Sequence, residues 1–105
     1  MDEDPLAFKK SMESQEISKD IIEIPLKIAL YSKKIHTLAI KLEPYIKKTI
    51  RADHQIAKDN LITSINGGIE IIESNYNFFD FNSDYIKRTK EKVEALKDYL
   101  RQYRG

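Results

Sequence analysis

The sequence predicts an all-α protein, an antiparallel bundle of three principal helices preceded by either a short N-terminal helix or a loose arm. Three observations carry that prediction. In two long segments apolar residues recur at spacings alternating between four and three, the pattern of helices packed along a neighbour. Three glycines and three prolines in 105 residues punctuate the chain sparsely. Apolar residues at 41% and charged residues at 33% suit a folded helical domain rather than a disordered segment.

The length allows one domain. Residues 1–16 are polar and weakly periodic and form the arm or short helix, while residues 17–105 form the bundle. Asp4 and Pro5 suit the N-cap and first position of a helix over residues 5–12. The first stripe follows, running through Ile17, Ile21, Ile24, Ile28, Tyr31, Ile35, Leu38 and Leu42. Pro25 falls inside it, where a proline removes a backbone hydrogen bond and costs about 3 kcal/mol, so a kink or a new start is expected near Ile24. Pro44 disfavours helical geometry at Glu43, ending this helix at about Leu42.

The second helix is expected to start near Thr49 or Asp53, either of which could cap it, and to continue through Ile56, Leu61, Ile65, Ile69, Ile72 and Tyr76. Gly67 and Gly68 interrupt it, and close approach of another backbone explains them better than a break. Ile62 and Ile71 widen its apolar arc, which marks it as the central helix or an oligomer interface. Residues 74–83 read as a loop with turn formers Asn75, Asn77, Asp80 and Asn82 and the rings of Tyr76, Phe78, Phe79 and Phe81, which either close one end of the bundle or form a contact patch. The third helix starts after Asn82 or Ser83 and carries the second stripe: Ile86, Thr89, Val93, Leu96, Leu100 and Tyr103.

Composition also excludes functions. Without cysteine there are no disulfides, thiolate nucleophiles or cysteine-held metals. The N-terminal segment is acidic, and no apolar run approaches the roughly 20 residues of a membrane span, so no membrane association is expected and a cytoplasmic setting is. His36 and His54 are too few and too distant in sequence to announce a metal site, and no cofactor is expected. Glu70 and Glu73 lack the histidine that would follow in a di-metal bundle and read as a solvated patch or as partners for the basic third helix. Arg51 and His54 are too closely spaced for an Arg-x4-6-His ribonuclease motif, and no hydroxyl nucleophile or phosphate loop is recognisable. No catalytic residue is assigned and no enzyme is expected.

Net charge is only +1, but it is segmented. Residues 1–20 hold six acids and three bases, residues 21–58 three and eight, residues 59–84 five and none, and residues 85–105 three and seven. Such blocks suit attraction between neighbouring helices, or a joint basic face able to hold phosphates by releasing their counterions. The residues expected to do so are Lys47, Lys48, Arg51, Lys87, Arg88, Arg101 and Arg104.

Residues 45–101, with YIKKTIRADHQIAKDNLITSINGGIEIIESNY, a short loop and then YIKRTKEKVEALKDYLR, resemble the four-helix-bundle accessory variability proteins of diversity-generating retroelements. The likeness rests on a basic turn at Lys47, Lys48 and Arg51, a long apolar helix ending at Asn75 and Tyr76, and a final Leu-Arg pattern. It implies a non-catalytic, ring-forming homo-oligomer that binds RNA and a reverse transcriptase. The expected function is therefore that of a nucleic-acid-binding accessory protein, RNA or DNA being the partner. The alternative is a protein-binding module, an inhibitor, adaptor or virion component, using Ile62, Ile69, Ile71, Tyr76, Phe78, Phe79 and Phe81. A domain this small buries only about 60 to 65% of its unfolded surface, so a homo-oligomer is expected on either reading.

Overall fold

The computed structural model describes the backbone of residues 5–79 and 83–104 and the side chains of residues 19–79 and 83–103. Three helices account for nearly all of it: α1 (Pro5–Leu42), α2 (Arg51–Ser74) and α3 (Asp84–Arg104). The all-α prediction therefore holds. Among the described residues no helix is long and apolar enough to cross a membrane.

Helix α1 does not stop or restart at Pro25; it runs through. The proline has no N–H to give the carbonyl of Ile21, four residues before it, and that carbonyl instead accepts a hydrogen bond from Asn75 Nδ2 at 3.2 Å. A side chain from the end of α2 thus supplies the bond that the proline removed. Pro44 does act as expected: α1 ends at Leu42, and a 3₁₀ turn over Glu43–Tyr45 leads the chain away.

The proposed caps fare differently. Neither Thr49 nor Asp53 caps α2; a 3₁₀ turn over Lys48–Ile50 feeds into it, with Ile50 at the N-cap and no side-chain cap bond. Asp53 instead lies in the first turn, where a carboxylate suits the positive end of the helix dipole. Ser83 does cap α3, its Oγ accepting from the Ile86 amide at 3.2 Å.

The core consists of Ile22, Leu26 and Ala29 from α1, Ile65, Ile69 and Ile72 from α2, and Ile86, Val93, Leu96 and Leu100 from α3, with Tyr76 and Tyr99 at its margins. Gly68 is the closest approach between α1 and α2. A β-carbon there would lie 2.9 Å from the Pro25 carbonyl oxygen and 3.0 Å from Ala29 Cβ, so the packing explanation holds for it. Gly67 has nothing within 4 Å of the same position and needs no glycine for packing.

The stripe on α3 is buried as expected from Ile86 to Leu100, while Tyr103 is exposed. The stripe on α1 is not buried. Ile24, Ile28, Tyr31, Ile35, Leu38 and Leu42 are 52 to 63% exposed, and the helix turns the adjacent face inward through Ile22, Leu26, Ala29, Ser32 and His36. The inward face carries the small residue Ala29, which permits the contact at Gly68; the bulkier stripe would hold the backbones apart. Ile17 belongs to the same stripe, but its side chain lies outside the described residues.

Candidate functional site

The end of the bundle where α1 finishes, α2 begins and α3 terminates gathers most of the polar chemistry. Arg51, His54 and Lys58 are spaced three and four apart and share one face of α2. Glu43, in the turn just after α1, meets that face: Lys58 Nζ donates to Glu43 Oε1, and His54 Nε2 lies 4.0 Å from the same oxygen. The lysine hydrogen bond and the nearby positive charges hold the Glu43 carboxyl below the usual carboxylate range. His54 is largely enclosed, and its Nε2 finds no hydrogen-bond partner among the described residues. A pocket of about 460 Å³ opens here, lined by Glu43, Pro44, Ile46, Arg51, His54 and Gln55.

The second histidine lies towards the same end. His36 Nδ1 is 2.6 Å from the Tyr99 hydroxyl, which is 3.0 Å from Thr37 Oγ1, and Thr37 Oγ1 donates to the Lys33 carbonyl at 2.9 Å. One assignment of hydrogens gives each donor an acceptor: His36 Nδ1–H to Tyr99, Tyr99 O–H to Thr37, and Thr37 O–H to Lys33. The rings of Tyr99 and Tyr103 stand edge-on to His36, with centroids 5.6 and 4.9 Å away. Burial lowers the His36 pKa, and the positive charge of Lys58 lowers it further, against partial compensation from Glu43 and Asp59. Burial raises that of Tyr99. Both groups are therefore uncharged near neutrality.

Among the described residues, no group of three or more His, Asp or Glu side chains is arranged to hold a metal ion. What the end does offer is a carboxylate, a lysine and a histidine with a free ring nitrogen at one pocket. That set suits proton transfer and the binding of a small polar group.

A model of the family described as formiminotransferase-cyclodeaminase matches residues 2–95. The chain belongs to that family. Neither a curated protein nor a solved structure matches it. The family match overturns the resemblance to retroelement variability proteins and, with it, the expectation of a nucleic-acid-binding or RNA-binding accessory protein beside a reverse transcriptase. It lends no support to the protein-binding module offered as the alternative. The features behind the resemblance, a basic turn followed by amphipathic helices, recur in many bundles because solubility and helix packing alone produce them.

In this formiminotransferase-cyclodeaminase member the seven basic residues do not lie together. Lys47, Lys48 and Arg51 are exposed at the histidine end, whereas Lys87 and Arg88 are exposed in the first turns of α3, at the opposite end. Arg101 returns to the histidine end, about 20 Å along α3 from Arg88, and is paired with Asp98. The Arg104 side chain lies outside the described residues.

The seven residues proposed as a protein interface are also divided. Ile69 and Tyr76 belong to the core, Ile62 and Phe79 pack partly buried against it, and Ile71 and Phe78 are exposed. Phe81, with the turn formers Asp80 and Asn82, lies outside the described residues. Of the two acids set aside as metal ligands, Glu73 accepts from Lys97 of α3 at 2.6 Å, the role expected of a partner for the basic helix.

Sequence reasoning missed Glu43, His54 and Lys58 as a group, and Thr37 and Tyr99 as partners of His36. The hairpin offered a partial signal: residues flanking the turn over 43–50 meet across it, with His36 seven residues before the turn and His54 four after it.

Proposed function

We propose that this chain carries out chemistry of the kind its family's description names, a cyclising deamination of a formimino-bearing substrate, in the pocket at the histidine end. The observation that carries the reading is His54 Nε2, enclosed and without a hydrogen-bond partner among the described residues, beside the Glu43 carboxylate at the pocket wall. An enclosed ring nitrogen without a partner costs free energy that a ligand's N–H or lone pair would offset.

The chemistry asks for a group that moves protons. A second amine of the substrate attacks the formimino carbon and a new C–N bond closes the ring. The bond to the terminal nitrogen breaks, and that nitrogen leaves as ammonia. His54 takes the proton from the attacking nitrogen and returns it to the departing one, so the enzyme ends the cycle unchanged. Glu43 accepts an N–H of the formimino group and favours its positive charge, and Lys58 keeps Glu43 ionised and in place. Arg51 at the pocket wall supplies a cation for an anionic part of the substrate.

Ammonia release from a formimino-bearing amine tests the reading. The wild-type chain should release ammonia, and His54→Ala should be slower by about 100-fold or more with its far-UV circular dichroism unchanged. Wild-type release no faster than that of His54→Ala would refute this assignment and favour the non-catalytic chain expected from the sequence.

A further inference from the structure

Gln55 is the polar wall residue of the histidine-end pocket that the chemistry above leaves unused. Its side chain is not free to turn. Nε2 donates to Asp59 Oδ1 at 2.9 Å, one helical turn further along α2. A carboxylate only accepts hydrogen bonds, so the amide atom that meets it is the NH2 nitrogen. Asp59 is not part of the pocket wall. The NH2 group is thereby drawn away from the pocket, and the atom left for a bound ligand is the carbonyl oxygen, Oε1. Turning the amide over would set Oε1 against the Asp59 carboxylate.

We infer that Gln55 Oε1 selects a formimino group over a formyl group, with Asp59 as the positioning residue that holds the amide in the selective orientation. The identity of the ligand rests on the cyclising deamination proposed above; the orientation of Gln55 does not. Formimino and formyl groups share one shape and differ at the terminal atom. The terminal nitrogen of a protonated formimino group offers N–H donors and no lone pair, whereas the terminal oxygen of a formyl group offers lone pairs and no donor. The pocket wall supplies two acceptors for that atom, the Glu43 carboxylate and Gln55 Oε1. A formimino ligand satisfies both.

A formyl ligand sets its lone pairs against both acceptors, and neither acceptor can change its character. Lys58 keeps Glu43 ionised, and Asp59 keeps the Gln55 NH2 group engaged. His54 does not discriminate, because a neutral imidazole can present Nε2 as donor or as acceptor. Selection therefore falls to the two side chains whose polarity is fixed. Mismatched hydrogen-bonding groups reject a ligand of the right size more strongly than a small difference in size does. Gln55 and Asp59 are exposed, so water softens the mismatch, and the share carried by Gln55 is about tenfold.

Formimino-β-alanine and formyl-β-alanine are the probes. Both carry a carboxylate for Arg51, and neither has a second amine to close a ring, so occupancy is read without cyclisation. Dissociation constants are measured on the full chain at about pH 7.5 by NMR titration of the His54 ring protons. The wild type should bind the formimino ligand tighter by about tenfold or more, and Gln55→Leu should lower that preference about tenfold. Asp59→Asn should lower it about threefold and should also tighten formyl binding, because the Gln55 amide can then turn its NH2 group to the formyl oxygen. In the Gln55→Leu background Asp59→Asn should leave the preference unchanged, which separates orientation of the amide from simple loss of charge. A wild type that binds neither probe or both alike, a Gln55→Leu variant with the full preference, or an equal effect of Asp59→Asn in the two backgrounds would overturn the inference. Selective binding without ammonia release from a cyclisable substrate would refute the proposed reaction and leave the selectivity standing. Ammonia release with the preference unchanged in the variants would do the reverse.

Discussion

The bond between Asn75 and the carbonyl of Ile21 lends itself to a double-mutant cycle with Pro25. In the wild type the carbonyl has lost its helical donor to the proline ring and is served by Asn75 Nδ2 at 3.2 Å in a partly buried setting. Asn75→Ala removes that donor. The backbone of residue 75 is near φ −98° and ψ 0°, which alanine adopts readily, and its amide keeps its bonds to Ile71 and Ile72. The cost is therefore that of a neutral hydrogen bond plus an under-served carbonyl, about 1 to 2 kcal/mol. For a domain of this size it would lower the melting temperature by roughly 5 to 15 °C. Pro25→Ala restores an N–H at residue 25, which can reach the Ile21 carbonyl from within the helix. In that background Asn75→Ala should cost no more than about 0.5 kcal/mol, giving a coupling energy near 1 kcal/mol. Urea denaturation of the four proteins measures it, at one fixed protein concentration, because self-association would raise apparent stability. Costs for Asn75→Ala that agree within ~0.3 kcal/mol in the two backgrounds would show that the asparagine does not replace the proline's missing bond.

Further outcomes follow from neighbouring features. Gly68→Ala should destabilise by about 1 to 3 kcal/mol, because its β-carbon meets the Pro25 carbonyl and Ala29, whereas Gly67→Ala should stabilise by about 0.5 to 1 kcal/mol in the same denaturation assay. The His36 pKa is lowered in the folded chain, so below about pH 6.5 the unfolded chain binds more protons than the folded one. Stability that is present above that pH should be lost as the pH falls towards the folded pKa, and His36→Phe should remove this part of the pH dependence in melts between pH 7.5 and 5.5. A slope in that range unchanged by His36→Phe would refute the assignment.

The candidate site was poorly legible in the sequence for a specific reason. Arg51, His54 and Lys58 have the spacing of a shared helical face, but only the hairpin between α1 and α2 brings Glu43 onto that face. Similarly, His36 and Tyr99 are 63 residues apart, and no local pattern announces a bond between them. The basic residues were conspicuous because they are numerous. Their distribution over both ends of the bundle depends on helix direction, which composition does not express.

For the fold, local chemistry was sufficient where a segment had a single apolar face. Helix α3 has one, so its stripe identified both the helix and its inward side from Ile86 to Leu100. Pro44 and Ser83 marked boundaries by backbone geometry and capping, which act within a few residues. Helix α1 has two apolar faces, and its periodicity established that it is a helix without saying which face turns inward. Tertiary packing decided that, because Gly68 allows α2 to close onto Ala29 and the regular isoleucine stripe is left outside. The same packing placed Asn75 where it could serve the Ile21 carbonyl, so Pro25 lies within a continuous helix. Periodicity is a property of one segment, whereas the choice between two apolar faces depends on the shape of the segment that meets them.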